Sequence, residues 1–532
     1  MPPYVTMPDP RSRFALVTLV ALLGFNASAV PPTAPPPAPG IVERLQPLTG
    51  PALGERIGAL AEKALKAPGA AGLAIAVLTF EPAGKSAADA PPLRPELLFA
   101  SGFGLADVEN KVPVTTATVF RLASVSKQFS AAAVMQLVQQ GKLNLDAPLT
   151  ELLPDLPVFA APKQWPSDAA LPPITLRHLL NHTSGIYNYT NDGVFMSRTS
   201  AMEVTEADVV ALFAGKPLDF APGSQFAYSN SGYYLLGLII ARTTGMSYAH
   251  YVQHTLAKDA AMPLPSLRHD DNHDLIAHRA RGHSLSRSLL PGRPGKLALA
   301  AHIGTDAAGA AGGLVSNVID LAYWQALLFR GSSGGIVSDA SLAAMLTPPD
   351  STTLAEGEKS EYGFGLDNGT VQGRRMVNHS GGIHGFVSFM MTLPDDGICI
   401  AVLANSDATN AGKLANDVLR AMMNVPEPTA ADLPVPETVL QAARGTYGVK
   451  KPPLSFRFFS PASKPEALSV AVTGQGDLAL LYQGEIQGKH EFRASFDSTV
   501  RLVFDQPEAG SAEAPSFTLY QGGREVVGKR AK

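Results

Sequence analysis

The sequence has almost no cysteine. A single thiol in 532 residues, Cys399, excludes an internal disulfide. It lies in the apolar run 397–403 and is expected to be a buried small hydrophobe. A large excess of charge of one sign is missing too. The net charge is −4 and no run of Lys and Arg occurs, which excludes the clustered basic surface that nucleic-acid binding needs. Long apolar runs are also absent: the stretch at 14–24 is too short to span a bilayer comfortably. No internal repeat is present. Charged residues are scarce, at 17% against 45% hydrophobic, so global disorder is excluded and a sizeable core is available. The length predicts two or three folded units.

The first 29 residues read as a signal peptide. Arg11 and Arg13 give a basic start, 14–24 an apolar stretch, and Ala27-Ser28-Ala29 a small-x-small cleavage site, with Val30 as the expected first mature residue. No cysteine follows the apolar stretch, so no lipoprotein anchor is expected. Residues 30–46 carry six prolines between Pro31 and Pro39 and read as a semi-rigid tether. From 47 to 425 the pattern is globular. A helix is predicted at 60–67 and strands at 72–80 and from 97. Helices such as 131–140 and 318–330 follow, and strands return at 387–393 and 398–403. Strands at both ends with helices between predict an α+β domain whose sheet uses both chain ends, with a helical insert. A Pro-rich linker at 426–437 precedes 438–532. There, short runs at 468–472, 478–482, 500–504 and 516–520 predict a small β-barrel.

Three stretches carry chemistry. The first is Ser124-Val125-Ser126-Lys127. The apolar run after it predicts that Ser124 opens a buried helix, which puts Ser124 and Lys127 on one face, i and i+3. A serine hydroxyl needs a base to take its proton, and a lysine can be that base if burial lowers its pKa. Alone the match is weak, since Ser-x-x-Lys arises by chance about once in a chain this long. The second is Tyr228-Ser229-Asn230, ahead of the apolar run 235–240. A phenol beside a buried ammonium would have its ionised form favoured and would shuttle a proton, while Asn230 would position a substrate amide. The third is His379-Ser380-Gly381-Gly382, ahead of the strand at 387–393. Its glycines allow close backbone approach, and a backbone N–H there can form half of an oxyanion hole, the N–H of Ser124 being the other half.

Ser-x-x-Lys, then Tyr-x-Asn, then His-x-Gly resemble, in that order, the motifs of the serine β-lactamase and penicillin-binding-protein superfamily. The flanks agree: Leu179-Leu180-Asn181-His182-Thr183-Ser184-Gly185, Ala311-Gly312-Gly313-Leu314-Val315-Ser316 and Tyr362-Gly363-Phe364-Gly365-Leu366 are similar to its connecting segments. The resemblance covers 47–423 and is nearest the class C-like branch, with its class C β-lactamases, DD-peptidases, D-aminopeptidases and esterases. It implies an antiparallel sheet flanked by helices, with an all-helical subdomain. It also implies an acyl-enzyme on Ser124, a proton network held by Lys127, Tyr228 as general base, Asn230 orienting substrate, and an oxyanion hole from the N–H groups of Ser124 and Gly382. No cofactor or metal is implied. The substrate would be a small peptide, ester or β-lactam, and the protein exported, periplasmic or secreted, with no stable membrane span after signal cleavage. Oligomeric state stays open. His379 stands where class C β-lactamases have Lys; being only partly charged near neutral pH, it favours a peptidase or esterase over a β-lactamase. The region 438–532 resembles the lipocalin-like barrels appended to some members, with Gly445-Thr446-Tyr447-Gly448 opening its first strand and Phe496 in a later hairpin.

Other readings compete. Gly331-Ser332-Ser333-Gly334-Gly335 matches Gly-x-Ser-x-Gly, but lacks the strand before it and the helix after it that this motif needs. His269, His273, His278 and His283, with Asp270, Asp271 and Asp274, suggest a metal, yet no pair has the His-Glu-x-x-His form. A non-catalytic sensor of cell-wall peptides would need neither Lys127 nor Tyr228.

Overall fold

The computed structural model describes residues 49–81, 95–157, 159–162, 170–193, 195, 199–256, 264–270, 275–286, 295–330, 335–350, 360–425, 435–449, 454–459, 468–472, 477–486, 489–494, 497–505, 507, 513–521 and 524–530. The signal-peptide and tether assignments, residues 426–434 of the second linker, Ser333, His273, Asp271, Asp274 and Phe496 lie outside the described residues. The chain forms two units, one from Val42–Gly369 and Arg374–Val425, the other centred on Pro426–Lys532.

In the larger unit, helix α1 (Pro51–Leu65) leads into strands β1 (Gly72–Thr79), β2 (Glu96–Asp107) and β3 (Val112–Pro113). A helical stretch follows, with α2 (Ser126–Gln139), α3 (Asn230–Thr244) and α4 (Val318–Leu328). The chain then returns as β4 (Asp367–Val371), β5 (Arg374–Ile383), β6 (Phe386–Leu393), β7 (Ile398–Ala404) and helix α5 (Ala411–Met422). The sheet order is β3-β2-β1-β7-β6-β5-β4. The first long strand thus lies against the last, Leu73 opposite Ala404 and Thr79 opposite Ile398, and the sheet is built from both chain ends.

β6 and β7 are buried along their whole length, so they read as continuous apolar runs, as strands covered on both faces do. Thr392 Oγ1 donates to Gln325 of α4 at 2.9 Å, and Cys399 Sγ lies 3.7 Å from Ala322 O of the same helix. Gly412 of α5 sits instead against the Phe389 ring. Thr392 pairs with Cys399 and Phe389 with Val402. Alternation along a strand therefore sets α4 and α5 on opposite faces. Helix α2 is buried almost all round, which makes it the central post of the helical part.

The smaller unit opens with helix α6 (Glu437–Ala443). Eight strands follow: β8 (Gly445–Val449), β9 (Leu454–Phe459), β10 (Leu468–Val472), β11 (Asp477–Ile486), β12 (Lys489–Ala494), β13 (Asp497–Phe504), β14 (Ser516–Gln521) and β15 (Arg524–Arg530). Each runs antiparallel to the next, and Tyr447 opposite Arg530 closes the ring. Closure leaves no free sheet edge. Tyr447, Phe458, Phe492, Phe504 and Phe517 are buried and pack edge to face inside it. At the seam, Arg530 donates to Ala442 O at 2.6 Å, Arg444 O at 2.9 Å and Tyr447 Oη at 2.7 Å, so one guanidinium satisfies carbonyls at the end of α6.

Candidate active site

Ser124 stands on a rigid platform. The short strand Phe120–Arg121 pairs with Leu314–Ser316, and Leu122 N–H donates to Leu314 O at 2.9 Å. Ala123 then takes a left-handed φ of 49°, rare for a residue with a Cβ. Ser124 lies in a 3-10 turn, Ala123–Val125, that runs into α2. The expectation that Ser124 itself opens the α-helix is corrected by two residues: the 3-10 turn holds Ser124 and the α-helix starts at Ser126.

Lys127, one turn on, is completely buried. Its Nζ lies 3.1 Å from Ser124 Oγ, 2.8 Å from Asn230 Oδ1 and 2.7 Å from Ala311 O. No ion pair accompanies it among the described residues, and burial pushes its pKa well below the ordinary lysine range. Tyr228 directly precedes α3 by way of Ser229. Its ring lies 4.7 Å from Lys127 Nζ, and the Ser124 side chain acts on its hydroxyl electrostatically. Burial pushes the phenol pKa up, with the Ser124 side chain opposing. The expected ionised phenol is therefore corrected: with Lys127 driven toward its neutral form, no ammonium offsets the burial of a phenolate.

Asn230 is half-buried. Its Oδ1 accepts from Lys127, and its Nδ2 donates to Thr190 Oγ1 at 3.0 Å, so its side chain orients the lysine and keeps a second amide hydrogen for another acceptor. Asn188 accepts the Asn230 N–H at 3.1 Å. Ala311, Asn188 and Thr190 went unnoticed in the sequence; only Ala311 lay inside a recognised flank.

The third motif lies on β5. A Cβ at Gly381 would sit on Leu122 O and Ser388 Oγ, and 3.2 Å from Ser124 N. Glycine is what brings β5 against the Ser124 platform, and Ser388 locks it by donating to Leu122 O at 2.7 Å. Gly382 is exposed. His379 is buried. Its Nδ1 meets Ser380 O at 2.7 Å; a carbonyl only accepts, so Nδ1 carries the proton. Its Nε2 meets Tyr362 Oη at 2.8 Å. Burial pushes His379 down to about 3, and any charge on Lys127 acts the same way. His379 is thus neutral near pH 7, which corrects the expected partial charge, and both ring nitrogens are occupied within the protein. Tyr362, which in the sequence is only part of a flank, closes the aromatic wall beside Tyr228.

Of the histidine and aspartate cluster, Asp270 and His283 have other partners. Asp270 is buried between Arg121 at 2.7 Å and Arg279 at 2.6 Å. His283 Nδ1 lies 3.2 Å from Asn405 O. Among the described residues no three His, Cys, Asp or Glu gather as a metal site.

The Beta-lactamase family profile matches residues 94–422, which is more than half of the chain and contains all three motifs. Penicillin-binding protein 4* of Bacillus subtilis is 26% identical over 82% of this chain and 93% of its own length. The octameric penicillin-binding protein homologue from Pyrococcus abyssi shares the fold, with a TM-score of 0.57 at 22% identity, over 90% of this chain and 99% of its own. D-amino acid amidase from Ochrobactrum anthropi SV3 superposes with a TM-score of 0.54 at 25% identity, over 70% of this chain and 99% of its own. With the profile spanning strands β2 to β7, the helical part and the Ser124 platform together, the chain belongs to the Beta-lactamase family.

Proposed function

We propose that this protein is a serine hydrolase that works through an acyl-enzyme on Ser124, on amide or ester substrates of the D-amino-acid peptidase or esterase kind. One observation carries the reading: the three contacts of Lys127. A neutral amine has two N–H donors and one lone pair. Asn230 Oδ1 and Ala311 O only accept, and so take both hydrogens. The lone pair is left for the Ser124 hydroxyl, so Lys127, in place of the expected Tyr228, is the base.

Ser124 Oγ then bonds to the substrate carbonyl carbon while its proton passes to Lys127 Nζ. The N–H groups of Ser124 and Gly382 take the oxyanion; the fit of Gly381 against Ser124 N supports this pairing. Tyr228, kept protonated by burial, passes a proton to the leaving nitrogen or oxygen. Water next attacks the acyl carbon and the protons return the same way. A neutral His379 offers no cation to a substrate carboxylate, which supports an amidase or esterase over a β-lactamase. The resemblance to a D-amino acid amidase points the same way. We also propose that the chain is exported after cleavage following Ala29, and that the C-terminal barrel is lipocalin-like. Among the described residues no helix is long and apolar enough to cross a membrane.

A fluorophosphonate should label wild type on Ser124 and leave Ser124→Ala unlabelled, read by peptide mass. Turnover of D-phenylalanine amide, D-alanyl dipeptides and short-chain p-nitrophenyl esters should exceed that of nitrocefin. Faster nitrocefin hydrolysis would restore the β-lactamase reading, and an adduct that never turns over would make the protein a sensor.

A further inference from the structure

We propose that His182 is the positioning residue that holds Tyr228 beside Lys127, which rests on the hydrolase reading above. His182 grips the chain at three consecutive residues. Its carbonyl accepts the Ala227 N–H at 2.9 Å. Its ring packs on the Tyr228 ring, centroids 4.3 Å apart. Its Nδ1 accepts the Ser229 N–H at 3.1 Å. The residue before the phenol, the phenol and the residue after it are thus fixed by one side chain and its own carbonyl.

The clamp has two costs that packing alone does not explain. His182 has φ 61°, a conformation few residues other than glycine, asparagine, aspartate and histidine adopt. It is also almost wholly buried. Because Nδ1 accepts a hydrogen bond, the proton of the neutral ring sits on Nε2, and Nε2 is buried with no hydrogen-bond partner among the described residues. A ring serving only as filler would be phenylalanine, without a stranded N–H. The stranded N–H follows from needing an acceptor at Nδ1.

The neighbouring chain continues the grip. Thr183 O accepts from Gly223 N at 2.8 Å and Gly185 O from Asp219 N at 2.8 Å. Ile186 O accepts from Ser229 Oγ at 3.1 Å, and Tyr187 O from Ser231 Oγ at 2.6 Å. His182 sits where this zipper meets the phenol.

The test compares His182→Phe with His182→Asn. Phenylalanine keeps a ring and loses the acceptor. Asparagine loses the ring, tolerates positive φ and offers Oδ1 near the place of Nδ1. The rate of Ser124 labelling by a fluorophosphonate and the kcat and KM for a p-nitrophenyl ester are measured alongside Tm. His182→Phe should lose about 10- to 100-fold in kcat, with KM within about twofold. His182→Asn should stay within about fivefold of wild type. Wild-type rates in His182→Phe, or an equal loss in both variants, would overturn the proposal. If neither variant folds, ¹⁵N spectra of the wild-type imidazoles decide it: Nδ1 unprotonated and Nε2 protonated is expected, and the opposite tautomer overturns it. That measurement stands whether or not Ser124 is the nucleophile, whereas an unlabelled wild type sinks only the hydrolase reading.

Discussion

An arginine at position 127 would keep a positive charge and lose the lone pair. Lys127→Arg should therefore slow Ser124 labelling by about 10²- to 10⁴-fold, the usual contribution of a positioned base; labelling at the wild-type rate would remove Lys127 from that role. The same burial fixes a pH dependence. Below its lowered pKa the Lys127 amine is protonated and cannot accept, so labelling should rise with pH and level off well below the ordinary lysine value of 10.5. His379 gives a stability counterpart. Its folded pKa of about 3 lies below the ordinary 6.5, so between those values the unfolded chain binds the extra proton and stability falls as pH falls. Urea midpoints should drop from pH 7 to pH 4.5, and His379→Gln should flatten that slope. At this scale the sequence was readable where residue type and spacing carry the chemistry, as for Ser124, Lys127 and Tyr228. It was unreadable where a role depends on which atoms are already taken: nothing in the order of letters says that Asn230 spends its amide on Lys127, or that Tyr362 caps His379.

Helix α1 and strand β5 each carry a glycine whose substitution separates propensity from packing. Gly58 lies in the middle of α1, and a Cβ there would meet nothing within 4 Å. Gly58→Ala should stabilise by about 0.5–1 kcal/mol, since glycine loses more backbone freedom in a helix. Gly381→Ala meets backbone at Leu122 and cannot be relieved by a side-chain rotation. It should destabilise by about 1–3 kcal/mol and suppress Ser124 labelling by forcing β5 off the platform. A Gly381→Ala protein that labels normally would mean the platform tolerates the separation. Elements with a sustained apolar pattern were legible. The strands predicted at 387–393 and 398–403 are β6 and β7 to within a residue, and the helix expected at 318–330 is α4. In the barrel, the run expected at 468–472 matches β10. Strand β12, Lys-His-Glu-Phe-Arg-Ala, and β15, Arg-Glu-Val-Val-Gly-Lys-Arg, passed unnoticed. Charged residues crowd both, and only pairing with their neighbours makes them strands. The start of α1 is not legible either, because Pro51 and two glycines hide a helix whose buried face is Leu53, Ile57 and Ala61.

Two cores, and not one, set how the whole molecule comes apart. The apolar cluster of the larger unit runs from Ala74 on the sheet through α2, α3 and α4 to Leu403, and among the described residues it includes none of the barrel. The barrel has its own centre, where Phe504 packs against Tyr447, Phe458, Phe492 and Phe517. A unit that buries its own apolar interior unfolds on its own account. Calorimetry should therefore resolve two transitions. Phe504 is almost wholly buried, and Phe504→Ala removes the ring that touches all four partners, a change of about 3–5 kcal/mol for a phenylalanine in a closed core. That loss should lower one transition and leave the other in place, and the unmoved transition should be the one shifted by Gly381→Ala. The pairing of variant with transition is the decisive part. If both substitutions shift a single transition, the barrel and the larger unit share one cooperative interior, and the closure of the eight-stranded ring by Tyr447 and Arg530 is not what keeps the barrel folded.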